Sequence, residues 1–282
     1  MPRAYAKINL GLQIIGKRED GYHDIETVFY PVNLFDTIEL EACGHQIAIE
    51  SSDPNLASDE SNLCWKAADT IRKDVNVTSG VKIHIDKRIP TGAGLGGGSS
   101  DAALVLRELP RLWNLKISQE RLREIALSLG SDVPYFLRSG AAFATGRGEL
   151  LEYLDLSPPC WIVVVYPNIH ISSKWAYEHF TPRHRQDHVD LKKLLVENVD
   201  RPSSWVGKLR NDFEELVFRT HRAVRRTKEA LYKGGADFAL MSGSGSAVFG
   251  LFQNEQSARQ IVRSFSGNFV VFLTEPNFRP ER

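Results

Sequence analysis

The sequence predicts an α+β fold in two lobes, and three observations carry that prediction. Strand-like and helix-like segments are mixed, without the strict βαβ alternation that builds a parallel sheet. The chain has 282 residues, more than one average domain of roughly 100–200 residues requires. Ser157, Pro158 and Pro159 punctuate it midway, so the expected division is residues 1–156 and 157–282.

The elements follow in order. Residues 5–15 alternate apolar and polar side chains and read as a strand, with Lys7 and Asn9 on one face. Residues 16–22 (GKREDGY) form a turn-rich loop. Residues 25–32, 36–42 and 45–50 read as further strands. Leu63, Ala67 and Ile71 recur at helical spacing within 62–75. Residues 81–85 (VKIHI) alternate strictly and form a strand. A glycine loop follows, then a helix beginning near Ser99 or Ser100. Its apolar stripe is Ala102, Val105, Leu106, Leu109 and Trp113, and Pro110 is expected to kink it. Residues 118–129 are a helix with Ser118 as N-cap. Residues 140–145 and 149–153 are strands around a Gly146–Gly148 turn, and 161–166 is a buried strand. Residues 211–233 read as helical, 238–252 as strand, glycine turn, strand, 255–265 as helix and 269–273 as a last strand.

Composition narrows the function classes. Hydrophobic residues at 42% and charged residues at 25% are globular values and exclude a disordered chain. Thirty-five basic against 35 acidic residues give zero net charge, which argues against a nucleic-acid or anionic-membrane binder. The basic run Arg219, Arg222, Arg225, Arg226 and Lys228 reads as a solvated helix face. The longest apolar run, 160–166, is far below the ~20 residues a membrane span needs. Lys7 and Asn9 interrupt any apolar core of a signal peptide. Cys43, Cys64 and Cys160 are odd in number and lack metal-site spacing, so a reducing, cytoplasmic location is expected. His179, His184 and His188 lie in a polar stretch, spaced by five and four, and no further ligand that would make a metal site is apparent.

The most informative segment is residues 90–103, PTGAGLGGGSSDAA. It follows a strand and opens a helix. Gly92, Gly94, Gly96, Gly97 and Gly98 allow tight turns that aim several N–H groups at one point. The helix N-terminus adds unsatisfied donors and the positive end of its dipole. Such a cradle suits a polyphosphate. The Walker pattern GxxxxGK[ST] is absent. Gly92, Gly94 and Gly97 match GxGxxG, but the preceding strand alternates through Lys82 and His84, unlike the apolar first strand of a dinucleotide fold. Asp101 reads equally as a first-turn acid and as a neighbour of bound phosphate.

The whole string resembles the nucleotide loop of the GHMP kinases. Three other segments agree in order: AYAKINLGLQIIGKREDGYHDIETVF near the start, GSDVPYFLRSGAAFATGRGE at 130–149, and MSGSGSAVFGLF at 241–252. The first two resemble the branch whose second substrate carries a cytidine diphosphate. The resemblance implies an N-terminal lobe like the second domain of ribosomal protein S5 and a ferredoxin-like C-terminal lobe. It implies ATP, as Mg-ATP, held by Pro90, Gly92, Gly94, Leu95, Gly96, Gly97, Gly98, Ser99 and Ser100, with Asn62 and Lys87 on the adenine side. It implies Lys7 and Asp132 as the catalytic pair, and Asn9, Tyr22, His23 and Tyr177 on the second substrate. The reaction implied is phosphorylation of the 2-hydroxyl of a cytidylylated methylerythritol, in non-mevalonate isoprenoid synthesis, by direct in-line transfer.

The residue types suit that chemistry. Phosphoryl transfer needs positioning and charge stabilisation, which an aspartate beside the hydroxyl and a lysine beside the moving phosphoryl supply. Read without the resemblance, Lys7 is also an edge-strand charge, Asp132 a turn cap and Tyr22 a surface aromatic, while Trp175 rivals Tyr177. No metal ligand and no oligomeric state is assigned. Other GHMP kinases, acting on homoserine or mevalonate derivatives, are the competing reading; they lack a base for Tyr22 and Tyr177 to stack. A nucleic-acid-binding module using the basic helix is the other alternative, and it leaves the loop glycines unexplained.

Overall fold

A computed structural model describes residues 1–181, 189–265 and 267–281; His184 and His188 lie outside these. β1 (Arg3–Lys17) and β2 (His23–Ala42) form a long antiparallel hairpin. β2 runs unbroken for 20 residues, where the sequence pattern suggested two strands. Asn33 breaks the apolar pattern but not the strand, and its N–H is taken by Thr274 Oγ1 at 2.8 Å, 241 residues away. That length lets β2 also pair β4 (Val81–Asp86) along Thr37–Ala42 and β5 (Ala142–Thr145) along Thr27–Phe29. β3 (Ile47–Ser51) lies parallel to β4, and β6 (Leu150–Tyr153) closes the far edge, giving six strands.

Helices α1 (Leu63–Asp74), α2 (Gly97–Leu112) and α3 (Gln119–Leu129) cover one face of this sheet. The core there joins Ala67 and Ile71 of α1, Ala102, Val105 and Leu109 of α2, and Ile83 and Ile85 of β4. Asn62 caps α1 and Ser118 caps α3. Pro110 falls in the last turn of α2, which continues to Leu112.

The second sheet has the order β10-β7-β9-β8, from β7 (Trp161–Tyr166), β8 (Phe238–Met241), β9 (Val248–Phe252) and β10 (Val270–Thr274). All its pairs are antiparallel, with helices between β7 and β8 and between β9 and β10, the ferredoxin-like arrangement. β7 is central and covered on both faces, which explains its unbroken apolar run. Ile162 and Val164 face the first lobe, where they meet Ile8, Leu10, Val28 and Leu95; Val163 and Val165 pack on Val217, Val224 and Ile261. The layers are therefore helix, sheet, sheet, helix, and β1 is buried on both sides.

The helical stretch expected over 211–233 is two helices, α7 (Glu214–Thr220) and α8 (Arg222–Lys233), broken by extended backbone at His221. α4 (Val133–Phe136), α5 (Ser173–His179) and α6 (Leu191–Glu197) are too short to show a periodic face in sequence. α9 (Glu255–Ser264) matches its expected span closely. In the basic run, Arg225 pairs with Glu229 at 2.9 Å and Lys228 with Glu214 at 2.7 Å, while Arg219, Arg222 and Arg226 are exposed. Among the described residues no helix is long and apolar enough to cross a membrane.

Candidate active site

Lys7 sits in the middle of β1, and its N–H donates to Leu95 O at 3.0 Å, tying the strand to the glycine loop. Its side chain is only 5% exposed. The ammonium donates to Asn9 Oδ1 at 2.6 Å, lies 3.5 Å from Asp132 Oδ2, and sits 4.8 Å above the Phe29 ring. Burial pulls the Lys7 ammonium below the usual lysine range, and Asp132 partly opposes that. Asn9 is fixed in turn: its amide donates to Thr27 Oγ1 at 2.9 Å, and Thr27 donates to Gly11 O at 2.5 Å. Asn9 therefore presents its oxygen to Lys7 because its nitrogen is already committed.

Asp132 occupies the N-cap position of α4, yet its carboxylate makes no cap bond. At 35% side-chain exposure it stays open to a ligand. Around the pair lies a cleft of about 580 Å³, lined by Asn9, Tyr22, His23, Ser99, Asp132 and Tyr177 among others. The structure thus brings β1, the residue 16–22 loop, the start of α2, α4 and α5 to one place.

The loop's chemistry follows from its hydrogen bonds. Beyond half-buried Pro90, five consecutive carbonyls accept from the protein. Gly92 O takes Ile171 N–H at 3.1 Å and Ala93 O takes Ala247 N–H at 3.0 Å. Gly94 O takes the Ser242 hydroxyl at 2.9 Å, Leu95 O takes Lys7 N–H at 3.0 Å, and Gly96 O takes Ser100 N–H at 2.9 Å. The electron-rich side of the loop is thereby turned into the protein. The N–H groups of Gly97, Gly98 and Ser99 open α2, where a helix has no acceptor of its own to offer. Glycine is required at Gly94, where φ is +77° and a Cβ would lie 2.2 Å from Ser242 O, and at Gly96, where φ is +73° and a Cβ would lie 2.6 Å from Phe136 Cζ.

Three of the nucleotide residues expected from sequence point inward. Ser100 donates its hydroxyl to Tyr5 O at 2.7 Å and is buried. Asn62 accepts from Cys64 N at 2.8 Å and donates to Ala57 O at 2.6 Å, which uses both ends of its amide. Lys87 bridges Asp36 and Asp101, the latter at 3.1 Å, with all three side chains nearly inaccessible. Burial drives the Asp101 carboxyl up to about 8, with Lys87 opposing and Asp36 adding to the rise. Burial pulls Lys87 down, but Asp101 and Asp36 together outweigh it and hold the ammonium above its usual range. One lysine facing two buried acids stays neutral overall when one acid keeps its proton. Asp36 also accepts from Arg88 and Ile89 N–H, at 2.5 and 2.8 Å, so the triad braces the chain leading into the loop.

On the opposite wall, the His23 and Tyr177 rings stack at 5.2 Å and 23°, and Tyr177 meets Phe213 edge-on at 4.9 Å. Burial pushes the Tyr177 hydroxyl up and the His23 imidazole down. Trp175 stacks instead on His179 at 5.1 Å and does not line the cleft. Tyr22 is 55% exposed, with the Arg147 guanidinium 4.7 Å over its ring. Arg147 was not singled out from the sequence, although its position between Gly146 and Gly148, both at positive φ, marks a turn built to aim it. Phe213 and Ser244 also line the cleft from the second lobe; Ser244 lies within the 241–252 glycine-turn segment, while Phe213 carries no local sequence signal.

A phosphate cradle on a helix start, a buried lysine beside an open aspartate, and an S5-like lobe fused to a ferredoxin-like lobe define the class. Residues 62–140 match the GHMP kinases N terminal domain and residues 184–271 the GHMP kinases C terminal domain, and the chain belongs to the GHMP kinase family. Within it, a 4-diphosphocytidyl-2-C-methyl-D-erythritol kinase of Chlorobium phaeobacteroides (strain BS1) is 50% identical over 98% of this chain and 97% of that protein. A protein of the same name from Prosthecochloris aestuarii is 47% identical over 98% and 97%. A crystal structure of 4-(cytidine 5'-diphospho)-2C-methyl-D-erythritol kinase superposes with a TM-score of 0.82 at 33% identity, covering 99% of each chain. The mevalonate kinase of Methanococcus jannaschii shares the fold, with a TM-score of 0.68 at 15% identity. The particular family is therefore that of the 4-diphosphocytidyl-2-C-methyl-D-erythritol kinases.

Proposed function

We propose that this chain transfers the terminal phosphoryl group of ATP to the 2-hydroxyl of 4-diphosphocytidyl-2-C-methyl-D-erythritol. The observation that carries the reading is the Lys7–Asp132 pair at 3.5 Å, set between the start of α2 and the Tyr22–His23–Tyr177 wall. The nucleotide phosphates rest on the N–H groups of Gly97, Gly98 and Ser99. Lys7, held by Asn9, places positive charge on the moving phosphoryl. Asp132 orients the acceptor hydroxyl and takes its proton, and transfer is in line, without a phosphoenzyme. Tyr22, His23 and Tyr177 hold the cytosine end by stacking, an interaction of about 1–3 kcal/mol per base. Asn62 and Lys87 act on the nucleotide only through the backbone they fix.

Magnesium accompanying the nucleotide neutralises charge on its phosphates. Among the described residues no cluster of three or more His, Cys, Asp or Glu side chains could hold a metal ion, and Asp101 is engaged with Lys87. Magnesium keeps several of its waters and takes few protein ligands in such sites. We place the lobe boundary at residues 156/157, between β6 and β7, with residues 275–281 returning to the first lobe.

The test is ADP release with ATP and, in turn, the cytidylyl substrate, homoserine and mevalonate. Turnover is expected with the cytidylyl substrate alone, and phosphorus NMR should show a new phosphomonoester. Turnover with homoserine or mevalonate, and none with the cytidylyl compound, overturns the reading.

A further inference from the structure

A second concavity, of about 700 Å³, shares no lining residue with the cleft, although β1 and α2 contribute to both. Four guanidiniums line it, from Arg3, Arg107, Arg138 and Arg279, against only two carboxylates, Asp155 and Glu281. Both acids sit on the exposed rim and are already engaged. Glu281 pairs with Arg3 at 2.9 Å and Asp155 with Arg279 at 3.6 Å. Among the described residues Arg107 has no hydrogen-bond or ion-pair partner. Arg138 is placed instead by its ring contact, 4.1 Å over Tyr153. Arg107 is partly buried and Arg138 is exposed.

Like charges gathered in a concavity repel one another and focus a positive potential there. A fold stabilised without a ligand supplies acids to offset that, as it does for Lys87 with Asp36 and Asp101. Here, among the described residues, no acid is supplied to partly buried Arg107, and exposed Arg138 adds its charge to the same concavity. Guanidinium forks match phosphate oxygens two at a time. The wall also offers Ser139 and Ser157. We propose that this concavity is a binding site for a phosphorylated small molecule carrying at least two negative charges, separate from the nucleotide cradle. Ser100, Leu104 and Arg107 occupy one face of α2, at spacings of four and three, so the ligand rests against the helix whose start forms that cradle.

The experiment is calorimetric titration of inorganic pyrophosphate into the full chain held in saturating ADP, which occupies the first site. The expected result is one saturable site that weakens about tenfold or more in Arg107→Gln/Arg138→Gln, given the usual worth of charged hydrogen bonds. Affinity should be unchanged in Arg222→Gln/Arg226→Gln on the exposed face of α8. Asp155→Asn/Glu281→Gln, which removes only rim acids, should tighten binding and guards against a misfolded arginine variant. No saturable binding in ADP, or equal affinity in wild type and Arg107→Gln/Arg138→Gln, overturns the proposal. Kinase turnover, measured alongside, reports separately on the first site.

Discussion

Replacing Gly96 by alanine puts a methyl group at the most crowded turn of the phosphate loop. Gly96 has φ +73° and ψ +18°, a left-handed conformation that costs an L-residue about 1–2 kcal/mol. The new carbon would lie 2.6 and 3.0 Å from two atoms of the Phe136 ring and 3.2 Å from Lys7 Cε. Phe136 is held in the core by Tyr135 and its neighbours, so the ring has little room to retreat. Overpacking of this kind costs about 1–3 kcal/mol. The sum, roughly 2–5 kcal/mol, lowers the melting temperature by an amount on the order of 5–15 °C for a chain of this size. Turnover should fall further, by roughly 10²-fold, because the side chain displaced with the ring is Lys7, which we propose acts on the phosphoryl group. Gly98→Ala is the paired control. Its backbone is ordinary helix and the nearest atom, Leu63 Cδ1, is 3.8 Å away, so its stability should hold or rise by up to about 1 kcal/mol. Differential scanning fluorimetry and initial-rate kinetics read both effects. A Gly96→Ala protein that melts within a degree or two of wild type and keeps normal turnover would refute the account of the loop.

Asp132→Asn keeps the shape of the site and removes the proposed proton acceptor, so kcat should drop by roughly 10²–10⁴ with little change in the KM for ATP. Near-normal turnover would reject that role. Tyr22→Ala should raise the KM for the cytidylyl substrate alone, and equal changes for both substrates would contradict stacking. Lys87→Met strands Asp36 and Asp101 without their cation and should cost about 3–5 kcal/mol in a denaturant titration. Asp101 also predicts a pH dependence. Its folded value of about 8 lies above its unfolded value of 3.8, so the folded chain holds a proton the unfolded chain has released. This group's contribution to stability therefore falls as pH rises from about 4 to 8, and is flat above that. Asp101→Asn should remove that slope, and an unchanged slope would show that another group sets it.

What the sequence made legible was local. Period-two alternation placed Lys7 and Asn9 on one face of a strand, and the glycine spacing located the cradle. What it could not show was who stands on the other side of each polar group. Ser100 reads as a hydroxyl of the phosphate cradle and Asp101 as a first-turn acid or phosphate neighbour, yet both turn inward, where Tyr5 and Lys87 arrive from distant segments to meet them. Within β2, the N–H of Asn33 is satisfied by Thr274 from the other lobe. The turn of 242–247 completes the phosphate loop from 150 residues downstream, a contact that no windowed pattern contains. Asp132 stood out through resemblance alone, since an aspartate after Gly130 is common chemistry for a turn.

The return of the last segment to the first lobe has a consequence for synthesis. Tyr30 donates to Phe278 O at 3.3 Å, and the Tyr5 and Phe278 rings lie 5.6 Å apart. A nascent chain emerging from the ribosome can pair β1 with β2 early, but that lobe lacks its final wedge until residue 278 has been translated. Until then Tyr5, packed on Phe35, and Tyr30 lack their contacts with Phe278, so the half made first is the half finished last.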